Sequence, residues 1–436
     1  MKTILMTLAA LMLSSAAQAE CPVGTAPYAK SLGGKPTCSL SGTYKDDLYL
    51  PNSNSYVLIG GVFMGYDNGK VGQELSLDPM TLTIQAGTQI FALNPKKDLS
   101  LPESQRIDRK DFLVISRGSK IEAAGTVDAP IVFSSAQGMH LAADQREAFP
   151  RARGDWGGLI LNGKAPTNVC PDLTLCSAEG EAGTGYYGGN EPADNSGTLR
   201  YVRVEFGGDK INDEKEFNGI TFNGVGSATN VNFVQVHKNN DDAIEFFGGN
   251  VNAKNLVLTG SGDDSIDWTF GYRGMIQYAI AQNDADDGDN GVEADNAKNV
   301  DLEPRSNPTL SNITLIGGPT TKRGLLLRVG SGGMIANSLV MGYKTCVDTE
   351  TAHLPMVEIT NNAFSCADLG SALSFPNNQE VDQKALLLNG YLPQEGSMLL
   401  ATPSIELEDL FFDVPSFIGA VGDVDWTAGW TTAAQQ

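Results

Sequence analysis

Asn218-Gly219-Ile220-Thr221-Phe222 is the first of four copies of one five-residue pattern. The other copies are Asp242-Ala243-Ile244-Glu245-Phe246, Asp264-Ser265-Ile266-Asp267-Trp268 and Asn290-Gly291-Val292-Glu293-Ala294. The first position is Asn or Asp, the third is Ile or Val, the fourth is acidic in three copies and the fifth is mostly aromatic. The Ile or Val positions are 24, 22 and 26 residues apart, and a period of this length indicates a repeat architecture.

The repeat unit is too short for two packed helices, and its Gly, Asn and Asp residues bound short runs of β-branched residues. Such runs predict strands, with a second strand between the copies at 231–236, 256–258 and 276–280. We therefore predict an all-β solenoid, a parallel β-helix, in which strands of neighbouring turns pair about 4.8 Å apart. Two fainter copies extend the pattern: Gly324-Leu325-Leu326-Leu327 and Cys346-Val347-Asp348-Thr349.

Strand geometry assigns each column of the repeat to one face, because successive side chains of a strand point to opposite sides. The third column is expected to face the core: Ile220, Ile244, Ile266 and Val292. The fourth column is expected to face outward: Thr221, Glu245, Asp267 and Glu293. The Asn and Asp column is expected to form a ladder at a bend. Unpaired carboxylates about 5 Å apart repel one another, which favours protonation or a bound cation.

The N-terminus has the pattern of a secretory signal peptide at residues 1–19. Lys2 precedes an apolar run at 4–13, and Ala17 and Ala19 fit the small-x-small cleavage rule. We therefore expect an exported protein that is extracellular, on the cell surface or in the periplasm. No other stretch is apolar over 18 residues, so the sequence predicts no membrane span.

The rest of the chain divides into three predicted parts. These are an N-terminal cap region at 20–75, the β-helix at 76–375 and a C-terminal cap or tail at 376–436, where the strand pattern weakens. Caps are expected because an open solenoid end exposes strand edges and core. Segments 138–153 and 164–196 are expected to be insertions that protrude from the coil.

Charge and cysteine content narrow the expected partners. The 436 residues have a formal net charge of −22, which disfavours nucleic acid and anionic membranes and suits cations. Six cysteines, an even number in an exported chain, predict disulfides. We expect sequence-local pairs: Cys21–Cys38, Cys170–Cys176 and Cys346–Cys366. Their spacing, with few His nearby, does not fit a zinc site.

Several segments resemble those of known proteins. Strand, Gly turn, strand, Gly turn and strand follow one another between Phe112 and Phe133. This run resembles the opening coils of secreted right-handed parallel β-helix proteins of the pectin-lyase-like superfamily. Residues 154–163, 197–206, 417–421 and 425–430 resemble a family of exported bacterial β-helix proteins without an assigned activity. The resemblance implies a right-handed parallel β-helix with N- and C-terminal caps, and it implies export, but it names no function.

The acids of the central repeats are the first candidate for a functional site. Carboxylate oxygens together with backbone carbonyls suit calcium. We predict calcium as a cofactor, held by two adjacent acidic columns: Asp241, Glu245, Asp263, Asp267, Asp289 and Glu293. The segment 284–289 also resembles a calcium loop in composition. The alternative is a solvated acidic face with Asn and Asp as ordinary turn residues.

Glycosidic-bond chemistry is the second candidate, because sugar-active enzymes use this fold. The acidic pairs of two neighbouring rungs resemble those of polygalacturonase-like hydrolases: Asp241, Asp242, Asp263 and Asp264. The Gly-His-Gly and Arg-x-Lys elements of those hydrolases do not occur at matching positions. A lyase would need calcium and a base, for which Arg273, Arg305 and Arg328 are available without a surrounding lyase motif.

A structural or binding role is the third candidate. Exposed aromatic residues on a stiff rod would stack on sugars or pack against another surface protein: Tyr186, Tyr187, Tyr272 and Trp268. Trp268 shares a column with Phe222 and Phe246, which favours a place in the core. With no complete catalytic set in the sequence, we expect an exported, calcium-stabilised β-helix protein with a structural or binding role. A polysaccharide-active hydrolase or lyase is the alternative.

Overall fold

A computed structural model describes residues 20–69, 76–170, 178–179, 183–212 and 215–432. The strands of the first region are β1 (Ala26–Pro27), β2 (Thr37–Tyr44), β3 (Leu48–Leu50), β4 (Ser55–Met64), β5 (Tyr66–Asp67) and β6 (Leu77–Asp78). The following coils contain β7 (Thr81–Ile84), β8 (Gln89–Ala92), β9 (Phe112–Ile115), β10 (Lys120–Ala124), β11 (Ile131–Ser135), β12 (Leu159–Asn162), β13 (Ala178–Glu179), β14 (Tyr186–Tyr187) and β15 (Gly197–Glu205).

The central coils contain β16 (Ile220–Asn223), β17 (Asn230–His237), β18 (Ile244–Phe247), β19 (Asn252–Thr259), β20 (Ile266–Thr269), β21 (Met275–Gln282), β22 (Asn290–Ala294), β23 (Thr309–Ile316) and β24 (Arg323–Leu327). The last coils and the tail contain β25 (Gly332–Ala336), β26 (Leu339–Met341), β27 (Thr345–Thr349), β28 (Met356–Thr360), β29 (Ala363–Ser365), β30 (Asp368–Gly370), β31 (Gln379–Glu380), β32 (Leu388–Asn389) and β33 (Leu392–Pro393). The α-helical segments are α1 (Gln383–Leu386) and α2 (Met398–Ala401), and 3-10 turns occupy Glu103–Gln105, Ala143–Ala148 and Ala372–Ser374.

Parallel pairing arranges these strands in three stacks that close around one core. Sheet 1 continues from β9 and β12 through β16, β18, β20, β22 and β24 to β27 and β30. Sheet 2 begins at β3, β7 and β10, and sheet 3 begins at β2, β4, β8 and β11. In the middle of the coil, β15, β17, β19, β21 and β23 each contribute their first half to sheet 2 and their second half to sheet 3. The fold is the predicted right-handed parallel β-helix.

One residue in the left-handed region divides each of these long strands between its two sheets. Phe233, Asn255 and Tyr278 have φ values of 54°, 56° and 60°, and they interrupt the register at equivalent places. A left-handed residue turns the strand within a single position, although this conformation is unfavourable for a side chain other than Gly. The bend therefore recurs at the same height in successive turns.

The predicted core column is confirmed. Ile220 pairs with Ile244, Ile244 with Ile266 and Ile266 with Val292, and all four side chains are fully buried. The fainter copies continue the column through Leu325 and Val347. Each turn thus packs its aliphatic side chain against those of its neighbours.

The aromatic column is also part of the core. The rings of Phe222 and Phe246 stack with centroids 5.2 Å apart, and Trp268 is fully buried with its indole N–H donating to Ser331. Tyr272 stacks on Phe246 at 4.3 Å and is fully buried, and Tyr187 is buried as well. The expected exposure of Tyr187 and Tyr272 was therefore wrong, whereas the core position favoured for Trp268 is confirmed, and these three rings are not available to a ligand.

The C-terminal tail runs back along the outside of the coil. Asn361 donates to the carbonyl of Pro403 at 3.1 Å, Gln277 to that of Asp413 at 2.8 Å and Gln235 to that of Thr432 at 2.9 Å. These donors come from successively earlier rungs as the tail proceeds. The tail therefore covers a flank of the coil, where its carbonyls accept from side chains near the bends between sheets 2 and 3.

The N-terminal region joins the coil early. β1 pairs antiparallel with β2, whereas β2 and β3 already pair in parallel with β4 and β7. Coil strands are thus present within residues 20–75, the region that the sequence pattern assigned to a cap.

Two of the predicted disulfides are present. Cys21 bonds to Cys38 and Cys346 bonds to Cys366, with Cα atoms 5.7 Å and 5.5 Å apart. The third predicted pair, Cys170 with Cys176, cannot be compared because Cys176 lies outside the described residues. The predicted signal peptide at 1–19 also lies outside them. In the part of the chain that the structure describes, no helix has the length and apolar character needed to cross a membrane.

The core column makes a direct stability prediction. Replacing Ile266 with Ala should lower the free energy of unfolding by about 2–5 kcal/mol, because a cavity remains between two rungs. Urea unfolding followed by circular dichroism measures this change. Glu122→Ala, at an outward position of β10, is the control and should alter stability by less than about 0.5 kcal/mol. Equal effects of the two changes would contradict the assignment of the inner face.

Candidate acidic metal site

The outward acidic column lies on sheet 1, as predicted. Glu245 pairs in register with Asp267, and Asp267 pairs with Glu293. Thr221 precedes this run and Leu326 follows it at the same position. Three successive rungs therefore present carboxylates in one line, since parallel register repeats the direction of each side chain.

A second acidic column lies three residues earlier, where the chain turns into sheet 1. The backbone N–H of Asp264 donates to Oδ1 of Asp242 at 2.9 Å, and that of Asn290 donates to Oδ1 of Asp264 at 2.7 Å. This is the predicted ladder of Asn and Asp side chains. It buries Asp242 and Asp264 almost completely, at 6% and 3% exposure.

The two columns meet to form carboxylate clusters. The central cluster, defined by Asp242, Glu245 and Asp267, offers one oxygen from each residue within 4.8 Å of the others. The distal cluster, defined by Asp264, Asp267 and Glu293, does the same. Asp267 belongs to both clusters, so its carboxylate lies between two potential ligand sets.

A third group lies beside the central cluster. Asp241, Asp242 and Asp263 bring oxygens within the same distance, with Asp263 exposed. Asp289, the remaining predicted ligand, pairs with Lys322 at 2.8 Å and is not among these groups. Asp242 and Asp264, which the sequence suggested for catalysis, are the additional members of the clusters. The short i to i+3 spacing within each repeat was the signal that would have found them.

Burial and mutual repulsion of the ionised carboxylates in the clusters lower the stability of the folded state unless a positive charge compensates them. Burial, followed by repulsion from neighbouring carboxylates, raises the pKa of Asp242, Asp264 and Asp267 well above the usual range of an aspartate. Burial also raises the pKa of Glu293 to about 7, although Arg328 opposes this change. Each cluster therefore favours protons or a cation near neutral pH.

The nearby basic residues pair with acids at the edge of the clusters and not with the most deeply buried carboxylates. Arg328 contacts Glu293, and its Nε lies 2.8 Å from Oδ1 of Asp295. Among the described residues, no Lys or Arg forms a salt bridge with Asp242, Asp264 or Asp267. The distal cluster thus has one internal cation at its end, whereas the carboxylates that the clusters bury most deeply have none.

Several oxygen atoms at the two clusters are buried without a hydrogen-bond partner. Within the described chain, Oδ1 of Asp267, Asn218 and Asn290 is buried without a hydrogen bond. Asn218 is 2% exposed and lies at the central cluster, where its Nδ2 donates to Oε2 of Glu245 at 2.6 Å. Asn290 is 1% exposed and continues the ladder beyond Asp264. Carboxylate and amide oxygens are the donors that Ca²⁺ prefers, so the residues present fit this ion.

The acidic loop at 284–289 has a different environment. Nη2 of Arg153 lies 2.7 Å from Oδ2 of Asp284, and Nζ of Lys238 lies 3.4 Å from the same oxygen. Arg153 also approaches Asp286 and Asp287, at 3.5 Å and 3.8 Å. The composition of this loop resembled a calcium loop, but Arg153 and Lys238 already pair with three of its acids.

The candidates for catalysis have features that oppose the chemistry. Asp242 and Asp264 each commit one oxygen to the backbone ladder and have little contact with solvent. Burial lowers the pKa of Arg328, but the hydrogen bond to Asp295 and the charge of Glu293 outweigh burial and raise this pKa. The raised pKa disfavours Arg328 as a base. Arg305 donates to the carbonyl of Val300, and Arg273 donates to that of Arg305, so these two arginines tie turns together.

Comparison with known proteins agrees with this architecture. The sequence model of the pectate-lyase-like beta helix domain matches residues 42–390. Neither the curated proteins nor the solved structures include a match to the chain. The match covers most of the chain and all of the acidic clusters, and the chain belongs to the family of pectate-lyase-like β-helix domains.

Proposed function

We propose that this protein is an exported β-helix protein that calcium stabilises, with a structural or binding role at the cell surface or in the periplasm. The observation that carries the proposal is the position of Asp267. Its carboxylate belongs to both the central and the distal cluster, and one of its oxygens is buried without a partner. Two disulfides among the described residues are compatible with export.

Calcium suits this site better than magnesium does. Ca²⁺ accepts six to eight oxygen ligands in flexible geometry, whereas Mg²⁺ demands a compact octahedron and retains its waters. The central cluster would hold the ion through Asp242, Glu245 and Asp267, with the amide of Asn218 beside it. The ion would link side chains of three successive rungs and would replace repulsion between them with attraction.

A calcium-stabilised rod offers long outer faces rather than one deep cleft. Such a face would bind a polysaccharide or another surface protein. The excess of negative charge disfavours nucleic acid as a partner. The calcium ion would serve here as a structural element, since the residues that would hold it include the buried ladder residue Asp242.

A polysaccharide-active hydrolase or lyase is the second candidate. It is favoured by the family of the domain and by the position of Arg328 next to the acidic column. The candidate acids would be Asp241, Asp242, Asp263 and Asp264. An inverting hydrolase needs carboxyl groups roughly 6.5–9.5 Å apart, which is wider than the 4.8 Å within which Asp241, Asp242 and Asp263 bring oxygens together.

Calcium should raise the stability of the folded protein. At a concentration about one hundred times the dissociation constant, one site adds roughly 2.7 kcal/mol to the free energy of unfolding. Thermal unfolding with calcium, magnesium or chelator at fixed ionic strength measures the effect, and calcium should give the highest midpoint. Asp267→Asn should abolish the rise. Asp348→Asn, in the same outward column but paired with Arg323, should retain it. Equal midpoints in all three conditions would contradict the proposal.

The calcium-free protein should lose stability as the pH rises. The folded state has raised carboxyl pKa values, so between about pH 4 and pH 7 it binds more protons than the unfolded state does. The free energy of unfolding therefore decreases as the pH rises across this window, in which the pKa of Glu293 is about 7. Urea midpoints measured in chelator at a series of pH values test this. The slope should be shallower in Asp267→Asn, and an unchanged slope would contradict the assignment.

The enzyme alternative has its own test. Incubation with polygalacturonate or alginate in the presence of calcium should release neither reducing ends nor unsaturated products that absorb in the ultraviolet. Either product would overturn the non-enzymatic proposal. Loss of that activity in Asp263→Asn, with activity retained in Asp348→Asn, would then locate the site.

A further inference from the structure

A cavity of about 460 Å³ lies on the outer side of sheet 3, between the insertion at 138–153 and the ends of β15 and β17. Its volume is within the range of small-molecule sites. The side chains that line it include Arg146, Arg151, Lys238 and His237, with Glu147 as the one acid. A donor-rich lining of this kind is unusual in a chain with a net charge of −22.

The three cationic side chains of the lining, Arg146, Arg151 and Lys238, differ in their pairing with acids. Arg151 lies 3.6 Å from Glu205, and Lys238 lies 3.4 Å from Asp284. Arg146 lines the cavity and has no salt bridge to any acid in the described ranges. Among the described residues, one positive charge of the cavity therefore has no acidic partner, and the other two are each shared with an acid.

The insertion holds Arg146 in place. Its Nε donates to the carbonyl of Leu141 at 3.1 Å and its Nη2 to that of Met139 at 3.4 Å. The same device occurs at the equivalent turn of the preceding rung, where Arg106 donates to the carbonyls of Leu101 and Leu99 at 2.9 Å and 3.0 Å. The two loops share the spacing Leu-x-x-x-Gln-Arg, at 101–106 and 141–146. The second copy brings its arginine to the cavity, whereas Arg106 does not line it.

A buried histidine supplies a further polar contact. His237 is 5% exposed, and its Nδ1 lies 2.8 Å from Oγ1 of Thr259. Nε2 has no hydrogen-bond partner among the described residues, and the residue lines the cavity. Burial lowers the pKa of His237 to about 4, so the imidazole is neutral near pH 7. Phe206, whose ring lies 5.7 Å from that of His237, and Phe149 add apolar surface.

We propose that this cavity binds a small organic anion. The anionic group would contact Arg146 and Lys238, the apolar part would contact Phe149 and Phe206, and a polar substituent would contact His237. The size and the mixed lining suit a ring that bears a carboxylate or a phosphate. This site is separate from the acidic clusters and does not depend on the binding of calcium.

Isothermal titration calorimetry at fixed ionic strength and with chelator tests the proposal. The probes are benzoate, glucuronate and inorganic phosphate, with benzyl alcohol and glucose as neutral controls. At least one ring carboxylate should bind, more tightly than inorganic phosphate and more tightly than its neutral counterpart. The relative affinities of benzoate and glucuronate then distinguish an aromatic acid from a sugar acid.

Matched variants separate recognition from loop folding. Arg146→Gln should weaken binding at least about tenfold, because a charge-assisted contact is lost. Arg106→Gln removes the same intraloop hydrogen bonds one rung away and should leave the affinity unchanged. Lys238→Gln, outside both loops, should also weaken binding. Absence of heat with all three anions, equal binding of the neutral controls, or equal affinity in Arg146→Gln and the parent protein would overturn the proposal.

Discussion

Parallel pairing in register is the constraint on which the rest of this structure depends. It places each strand residue about 4.8 Å from the equivalent residue of the next turn. An attraction or repulsion between two such residues therefore recurs along the whole column. Ile244 above Ile266 gains apolar contact from this arrangement. Glu245 above Asp267 gains electrostatic repulsion from the same register. The acidic face and the core are thus two consequences of one pairing pattern.

The structure relieves that repulsion unevenly along the column. At one end Thr221 and Asn218 replace acids, and at the other Arg328 contacts Glu293 before Leu326 interrupts the column. Between these ends, Asp242 and Asp267 have no salt bridge within the described residues. A cation would stabilise the folded state most there, because burial weakens screening and increases the energy of each charge.

The outer surface of the coil differs from one side to the next. Sheet 1 carries the acidic clusters, the tail covers the bends between sheets 2 and 3, and part of sheet 3 lies beneath an insertion that supplies Arg146. Insertions at one turn do not disturb the pairing of neighbouring rungs, since each rung depends on hydrogen bonds made within its own sheets. The fold therefore accommodates a cationic cavity and an anionic face in one chain.

The sequence by itself determined the repeat, the inward column through Ile220 and Val292, the outward carboxylates and two disulfides, because strand periodicity and cysteine spacing are local properties. It also indicated that Trp268 belongs to the core through its shared column with Phe222. The tertiary structure decided that Tyr272 folds inward, that Asp242 and Asp264 join the outward acids, and that Arg328 reaches Glu293. These relations depend on the conformation of turns and on side chains from rungs more than 20 residues apart. Periodicity specifies which face a strand residue occupies, but only the packed turns specify which residues of different rungs share a charge.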